Sequence, residues 1–442
     1  MAVQRVDVEE LIEGQRFTGF TLRVLALCVL ALIADGFDVQ VMSFAAPSLM
    51  KAWHVQRAAF APIFSASLFG ILVGAPLFGW IGDRVGRKTC IVASSFAYGL
   101  LSLSCLFAHD LNTLGLLRFL TGVGLGGVLP NAIAVAAELA PRRLRAGFAS
   151  FTAIGITTGG ILPGLIVAQA APGETWRTLF IVGGLAPIAI ACLTAVALPE
   201  SVAFLVQRGG ARERIIRLLK SIRPDVEIAP DAELLAPVRS ESAPTGLGAL
   251  FTGELALVTP LLWIMFAATL LSIYMLTSWM PLLLETTGFS GKQAATINSM
   301  FQAGGALGCV VVSLLLGRFG PKLVGVLFVL CLIAVGVVAR ADLTQTALAF
   351  AIAGCGFCLI GGQAALNGTA GLAYPTPVRS RGLGMALGVG RIGSVAGPLI
   401  AGMMVASGVT SARDLFLLPL IPLALGALAT FVVMGRLKAA RT

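Results

Sequence analysis

The sequence predicts an all-α integral membrane protein in which twelve transmembrane helices form two related halves of six. Three observations support this prediction. Hydrophobic residues make up 57% of the 442 residues and charged residues only 12%, whereas soluble proteins carry about a quarter charged residues. The apolar residues fall in runs of about 20, the length at which a helix crosses a hydrocarbon layer of ~30 Å. Two motifs also recur at corresponding places in the two halves of the chain.

Charged residues, proline and glycine separate the apolar runs, so we predict one helix for each run. The predicted spans cover residues 22–46, 59–81, 89–108, 112–138, 147–170, 177–198, 255–284, 293–316, 322–340, 343–374, 383–407 and 414–435. The polar stretch after the sixth span is rich in Arg, Glu and Pro. It divides the spans into six and six.

Basic residues are distributed unevenly among the loops. If the N-terminus lies in the cytoplasm, most of the 31 Lys and Arg residues fall in cytoplasmic segments, as the positive-inside rule requires. The net charge of +10 therefore reflects membrane topology and does not indicate a nucleic-acid partner. The predicted organisation is a cytoplasmic segment 1–21, a six-helix bundle 22–198, a cytoplasmic central loop 199–250, a second bundle 255–435 and a cytoplasmic tail 436–442.

Histidine and cysteine give no sign of a reactive or metal centre. The eight cysteines lie inside apolar runs, so we expect neither a disulfide nor a metal site. His54 and His109 fall in outer loops. Any proton pathway through the membrane must therefore use carboxylates.

Two motifs of the first half recur in the second. The loop GWIGDRVGRK at 79–88, after span 2, aligns without a gap with SLLLGRFGPK at 313–322, after span 8. The ends of spans 4 and 10 also correspond, with Asn131 opposite Asn367. Two matches in corresponding positions indicate that the halves derive from one six-helix unit.

Several of these motifs resemble those of one transporter family. GWIGDRVGRK is similar to the signature loop of the major facilitator superfamily, and RFLTGVGLGG at 118–127, GGILPG at 159–164 and PES at 199–201 resemble further motifs of that superfamily. DGFDVQVMSFAAPSL at 35–49 and YPTPVRSRGLGMALGVGRIGSVAGP at 374–398 resemble the aromatic acid:proton symporter family.

The resemblance implies both a fold and a function. The fold would be two pseudo-symmetric six-helix bundles around a central cavity, which rock to expose the cavity to each side in turn. The function would be import of a small organic anion, a benzoate-like or hydroxylated aromatic carboxylate, driven by the proton gradient without a cofactor. The resemblance also implies a monomer in the bacterial inner membrane.

Ionisable residues at membrane depth are costly and usually functional. Asp35 and Asp38 are three residues apart in span 1 and share one helical face. At a rise of ~1.5 Å per residue, Asp38 reaches the same depth as Arg118 in span 4, so the two can pair. Because neighbouring carboxylates resist double ionisation, we predict that these three residues, with Glu138 nearer the inner surface, couple protons to transport. The alternative is a permanent ion pair that only locks spans 1 and 4.

Arg391 is the predicted ligand of the substrate carboxylate. It lies about nine residues into span 11 of the second half, and a guanidinium group binds a carboxylate through two parallel hydrogen bonds. The alternative is an arginine that packs against a Gly-rich neighbouring helix and donates to its backbone carbonyls.

Further polar and aromatic residues are candidates for contacts to an aromatic substrate, because they can donate hydrogen bonds or stack on a ring. They are Asn298, Gln302, Tyr274, Trp279 and Asn131. For Tyr274 and Trp279 the alternative is an anchoring position at the outer membrane interface.

The loop after span 2 is predicted to act as a cytoplasmic gate. Its residues in this role are Gly79, Asp83, Arg84, Gly86, Arg87 and Lys88. Asp83 can cap a neighbouring helix and the bases can pair with Glu138, in contacts expected while the inner side is closed. Gly317 takes the place of Asp83 in the second half, so the gate should be asymmetric. Alternatively, the bases only set the topology.

Other functions remain open at this point. A proton antiporter that exports drugs or metabolites, or an importer of a non-aromatic carboxylate, would have the same span pattern. A membrane enzyme is disfavoured because no span combines histidines and acids or carries a Ser/His arrangement. A sensor is disfavoured because the central loop is too short and too charged for a signalling domain.

Overall fold

The computed structural model is almost entirely helical. It describes residues 5–169, 174–208, 212–226, 228, 233–235, 247–340, 342–408 and 412–439. Eleven of the described helices are long and apolar enough to cross a membrane, and a shorter apolar helix near the C-terminus supplies the twelfth. The first-half spans are span 1, Gly19–Trp53; span 2, Arg57–Val85; span 3, Arg87–Phe107; span 4, Leu111–Leu125 with Val128–Glu138; span 5, Arg145–Gly159 with Leu162–Gln169; and span 6, Thr175–Ala197.

The second half repeats this arrangement. Its spans are span 7, Leu255–Thr286; span 8, Gly291–Phe319; span 9, Lys322–Arg340; span 10, Gln345–Ala373; span 11, Thr376–Ala406; and span 12, Leu420–Ala439, preceded by the short helix Ala412–Leu417. The predicted span 12 began at residue 414, but the helix breaks before Leu420. Pro419 has no backbone N–H to continue the helical hydrogen bonding.

Equivalent helices pack in equivalent ways in the two halves. Span 1 packs against spans 5 and 6 as span 7 packs against spans 11 and 12, and span 2 packs against span 4 as span 8 packs against span 10. Glycines permit the closest of these crossings, because Gly122 lies against the backbone of Ser67 and Gly356 against that of Phe301, where a Cβ would overlap. The packing therefore has the internal symmetry that the repeated motifs predict.

The two bundles meet through spans 1 and 7, spans 2 and 11, and spans 5 and 8. We call the membrane face that carries residues 199–250 the loop face and the opposite one the far face. The described polar contacts between the bundles lie in the half nearer the far face. They join the Ser65 hydroxyl to the Val395 carbonyl oxygen at 2.8 Å, the Ser299 hydroxyl to the Ile161 carbonyl oxygen at 3.2 Å, and Lys51 Nζ to Glu285 Oε2 at 3.0 Å. The bundles are thus closed against each other at the far face.

Short elements cover the first bundle at the loop face. They are the parallel strands Arg5–Asp7 and Glu233–Leu235, the helices Val8–Glu13, Val202–Gln207 and Arg212–Ile222, and the 3-10 turn Arg142–Leu144. The 3-10 turn Leu247–Phe251 packs instead against spans 7 and 11 of the second bundle. Ile215, Leu219 and Ile222 lie on one side of their helix and are buried in the apolar cluster that contains Val8 and Leu11. The N-terminal segment and the central loop therefore pack together rather than extend separately into solvent.

Candidate substrate and proton-coupling site

A buried ion pair joins spans 1 and 4 inside the first bundle. Arg118 Nη2 lies 2.8 Å from Asp38 Oδ2 and Arg118 Nη1 lies 3.1 Å from Asp38 Oδ1, and both side chains are 0% exposed. Arg118 Nη2 also donates to the main-chain oxygen of Asp38 at 2.9 Å and to the Ser67 hydroxyl at 3.3 Å. The Ser102 hydroxyl donates to Asp38 Oδ1 at 3.1 Å. Asp38 and Arg118, which the sequence places at the same membrane depth, are therefore in direct contact.

Asp35 has different surroundings from Asp38. It is 4% exposed and has no ion pair or hydrogen bond within the described part of the chain. It lines a cavity of about 30 Å³ together with Tyr274 of span 7 and Arg391 of span 11. Three of the predicted residues, from both bundles, thus come together at one point. This volume holds about two water molecules.

Arg391 lines this cavity, and its guanidinium group has no direct ion-pair partner in the described residues. The packing alternative requires a hydrogen bond from its side chain to a backbone carbonyl, and no such bond is present in the described residues. Its electrostatic interaction is with Asp35 across the bundle interface. Tyr274 is half-buried at the same cavity, so it does not occupy the outer membrane interface. Its anchoring alternative is therefore wrong.

Asn298 and Gln302 lie in span 8, where it packs against span 5. Asn298 is 0% exposed, and neither its amide nitrogen nor its amide oxygen has a hydrogen-bond partner among the described residues. Gln302 is 4% exposed and lies against Gly160. Neither residue lines the cavity of Asp35. They form a second polar position, away from the first.

Trp279 and Asn131 are both committed to packing. Trp279 is fully buried, its Nε1 donates to the Pro398 carbonyl oxygen at 3.0 Å, and its ring meets Phe64 of the other bundle with centroids 5.2 Å apart. It is therefore not an interface anchor. The amide nitrogen of Asn131 donates to the Gly127 and Phe78 carbonyl oxygens at 2.8 and 3.2 Å, inside the first bundle.

The predicted gate residues form a network on the loop face. Arg87 Nη1 lies 2.6 Å from Glu138 Oε1, and Arg87 Nη2 lies 3.4 Å from Asp83 Oδ1. The Arg84 guanidinium stacks over the Trp80 ring at 3.8 Å. Because Arg87 and Glu138 belong to the same bundle, their pair does not itself hold the bundles together. Glu138 thus lies with the gate and not with Asp35 and Asp38.

Glu200 is a member of this network that sequence reasoning did not assign. Its Oε1 accepts from the backbone N–H of Lys88 at 3.1 Å, at the start of span 3, where a helix has unpaired N–H groups. Gly86 has φ of 106° and lies against the Glu200 carboxylate, so a side chain there would meet both steric and backbone strain. A Cβ at Gly79 would contact nothing within 4 Å. The PES motif was the available signal for Glu200.

Three hydroxyl residues around the buried acids were also missed. Ser67 and Ser102 bond directly to the Asp38–Arg118 pair, and Tyr98 lies near Asp35 and Asp38. Their spacing in the sequence carries no motif, because serine and tyrosine are ordinary residues of transmembrane helices. Only the packing of spans 2 and 3 against spans 1 and 4 brings them to the acids.

Comparison with known sequences decides the family. Residues 28–398 match the Major Facilitator Superfamily profile. The chain belongs to the major facilitator superfamily. As a member of that superfamily it is a multi-pass membrane transport protein and not an enzyme.

Several bacterial transporters resemble this chain over nearly its whole length. It is 35% identical to the 4-hydroxybenzoate transporter PcaK of Pseudomonas aeruginosa over 409 residues, which cover 92% of this chain and 91% of the relative. It is 35% identical to the gallate transporter of Pseudomonas putida, covering 91% and 90%. It is 33% identical to the 3-(3-hydroxy-phenyl)propionate transporter of Escherichia coli, covering 93% and 94%.

Solved structures of other superfamily members share the fold. A bacterial homolog of the human lysosomal transporter Spinster, inward-facing and unoccupied, superposes with a TM-score of 0.73 at 17% identity, covering 95% of this chain and 98% of that one. The xylose transporter XylE from E. coli, partially occluded and inward open, gives 0.70 at 16% identity, covering 94% and 97%. The chain thus has the twelve-helix, two-bundle fold of the superfamily.

Proposed function

We propose that this chain imports an aromatic carboxylate together with protons by alternating access. The observation that carries the proposal is the meeting of Asp35, Tyr274 and Arg391 from both bundles at one small cavity. A cation can bind the carboxylate group of an aromatic acid, a phenol can contact its ring, and a protonatable carboxylate can carry the coupled proton. The relatives named for 4-hydroxybenzoate, gallate and hydroxyphenylpropionate transport point to the same class of substrate.

Arg391 is assigned to the substrate carboxylate and Tyr274 to the ring or its hydroxyl groups. The guanidinium group offers two parallel donors to a carboxylate, and its charge has no direct partner in the described residues. The cavity is far smaller than the ~300–1,000 Å³ of typical ligand pockets. An aromatic acid therefore binds between these side chains only after the bundles have moved relative to each other.

Asp35 and Asp38 are assigned to proton coupling. Protonating Asp35 removes a negative charge from the cavity wall opposite Arg391, which leaves Arg391 free to attract the substrate anion. Protonating Asp38 weakens its bond to Arg118 and loosens spans 1 and 4. Both steps favour one arrangement of the bundles over the other, as coupling requires.

The orientation proposed for the chain places the loop face in the cytoplasm of a bacterium, across the inner membrane. Both termini then lie inside, in agreement with the excess of Lys and Arg in the loops on that side. With its bundles closed at the far face, the structure is then inward-facing. The proton gradient replaces any cofactor, and a single chain suffices because both bundles of the site belong to it.

Uptake of labelled 4-hydroxybenzoate into proteoliposomes tests the proposal. The wild type is expected to accumulate the label when the outside is acidic, and Asp35→Asn and Asp38→Asn are expected to lose this accumulation. Asp414→Asn is a matched control, because Asp414 is an exposed aspartate of the second half. Uptake that ignores the proton gradient would contradict symport, and failure of every aromatic acid to enter would contradict the substrate class.

A further inference from the structure

Span 3 carries three buried hydroxyl groups on one face. Ser94, Tyr98 and Ser102 are spaced four residues apart, so they lie above one another on successive turns. They are 1%, 0% and 0% exposed. We call these three residues the hydroxyl column. It runs along the helix from the middle of the membrane toward the loop face.

One end of the column touches the buried ion pair. The Ser102 hydroxyl donates to Asp38 Oδ1 at 3.1 Å, and Tyr98, one turn nearer the loop face, lies near Asp35 and Asp38. Asp38 itself is 0% exposed. A proton carried by Asp38 therefore has no direct contact with water and needs buried groups to leave or arrive.

The other end of the column approaches the gate. Cys90, one turn below Ser94, accepts from the amide nitrogen of Asn131 at 3.3 Å. Ser94 lies against Gly127 of span 4, where a Cβ would overlap its hydroxyl. Because residue 127 is glycine, the Ser94 hydroxyl fits between spans 3 and 4. Cys90 is within one helical turn of the start of span 3. The Glu200 carboxylate accepts from the backbone N–H of Lys88 in that same turn.

The Tyr98 hydroxyl has no hydrogen-bond partner in the described part of the chain, and the Ser94 hydroxyl interacts with the weakly accepting sulfur of Cys90. Buried hydroxyls are nearly always paired with protein or ordered water, and unpaired ones are costly. Water molecules between the hydroxyls would supply the missing hydrogen bonds and make the chain continuous.

We propose that the hydroxyl column, bridged by water, conducts the coupled proton between Asp38 and the loop face. The proposal rests on the proton coupling proposed above. In release, the O–H bond of protonated Asp38 breaks as the Ser102 oxygen accepts the proton and passes its own to the next water. Each hydroxyl gains one proton and loses one. A single proton enters water at the loop face, and Asp38 returns to its carboxylate form beside Arg118.

The titratable groups that face the column come from spans 1, 3 and 4 and from the segment after span 6. They are Asp35, Asp38, Cys90, Cys105, Arg118 and Glu200. Cys105 and Arg118 lie beyond the Ser102 end. Asp35 opens on the cavity at the bundle interface, so its proton has a separate route. The column thus serves Asp38.

Removing single hydroxyls tests the proposal. In proteoliposomes, a trapped pH dye reports proton arrival and labelled 4-hydroxybenzoate reports substrate arrival. Tyr98→Phe and Ser94→Ala are expected to slow proton-coupled net uptake about a hundredfold. They are expected to leave exchange of internal for external substrate unchanged, because exchange requires no proton release. Ser95→Ala is the matched control. Ser95 is equally buried and its hydroxyl is also unpaired in the described residues, but it points about 100° away around the helix.

The outcomes separate this proposal from the proposed function. If the wild type moves no protons with substrate, the proton coupling and the column fail together. If the wild type couples protons and both column variants behave like Ser95→Ala, the column alone is refuted. If exchange slows as much as net uptake, the hydroxyls act on helix packing and the proton path is likewise refuted. Slower net uptake with normal exchange in both variants supports the path.

Discussion

The buried pair of Asp38 and Arg118 makes a quantitative prediction about stability. In Asp38→Asn the carboxylate charge is lost, while Arg118 keeps its charge with no exposure to water. Its remaining partners are the main-chain oxygen of residue 38 at 2.9 Å and the Ser67 hydroxyl at 3.3 Å. These neutral acceptors do not replace an anion for a guanidinium group in a low dielectric.

The expected cost of breaking the pair follows from this arrangement. Removing one partner of a buried ion pair typically lowers the free energy of unfolding by about 3–5 kcal/mol, because the other charge is left uncompensated. Arg118→Gln should cost a similar amount, since Asp38 would keep only the hydrogen bond from Ser102. The double variant leaves no buried charge. It should therefore cost less than the sum of the single variants by about 2 kcal/mol or more.

Reversible unfolding of the purified protein in mixed micelles measures all three variants. Asp414→Asn provides the control and is expected to stay within about 0.5 kcal/mol of the wild type, because Asp414 is exposed. Single-variant losses that add up in the double variant would show that the two side chains do not interact energetically. Losses below about 1 kcal/mol in both single variants would show that the site is more hydrated than its burial implies, and would refute the reasoning.

Three further predictions concern other parts of the molecule. Arg391→Lys should raise the KM for 4-hydroxybenzoate about tenfold or more, through loss of one charge-assisted hydrogen bond; an unchanged KM in uptake kinetics would exclude two-point binding. Gly86→Ala should lower the free energy of unfolding by more than about 1 kcal/mol because of its φ of 106°. Gly79→Ala, inside a helix with open space around it, should raise the free energy of unfolding by about 0.5–1 kcal/mol. If both substitutions changed the free energy of unfolding in the same direction, the different backbone requirements at the two glycines would be contradicted. Glu285→Gln should change stability by less than about 1 kcal/mol, because the Lys51 side chain is 76% exposed; a larger loss in the same unfolding assay would show a stronger far-face closure.

Much of the fold follows from the sequence for a simple physical reason. A helix that crosses lipid must satisfy its own backbone hydrogen bonds and present apolar side chains for its whole length, so each span leaves a long, local signal. The two related halves leave the repeated loops. The breaks in spans 4, 5 and 12 were missed, because glycine and proline mark a weak point without deciding whether the helix bends or stops there.

Part of the site was also accessible before the structure. Asp38 and Arg118 could be paired because depth in a membrane is a single coordinate that residue counting supplies. Counting does not supply the direction in which a side chain points. It therefore gave Asp35 and Asp38 one role, although one faces the cavity and the other is sealed inside the bundle.

The sequence by itself determined the class of protein, the number of spans and the small set of charges inside the membrane, because lipid penalises each exception to an apolar helix. The tertiary structure alone decided which of those charges meet. It brought Arg391 and Tyr274 close to Asp35. It buried Trp279 and Asn131 in packing contacts away from the cavity, and it placed Tyr98 and Ser102 beside the acids. These contacts join residues far apart in the chain, and they depend on helix rotation and crossing, which no local pattern of residues encodes.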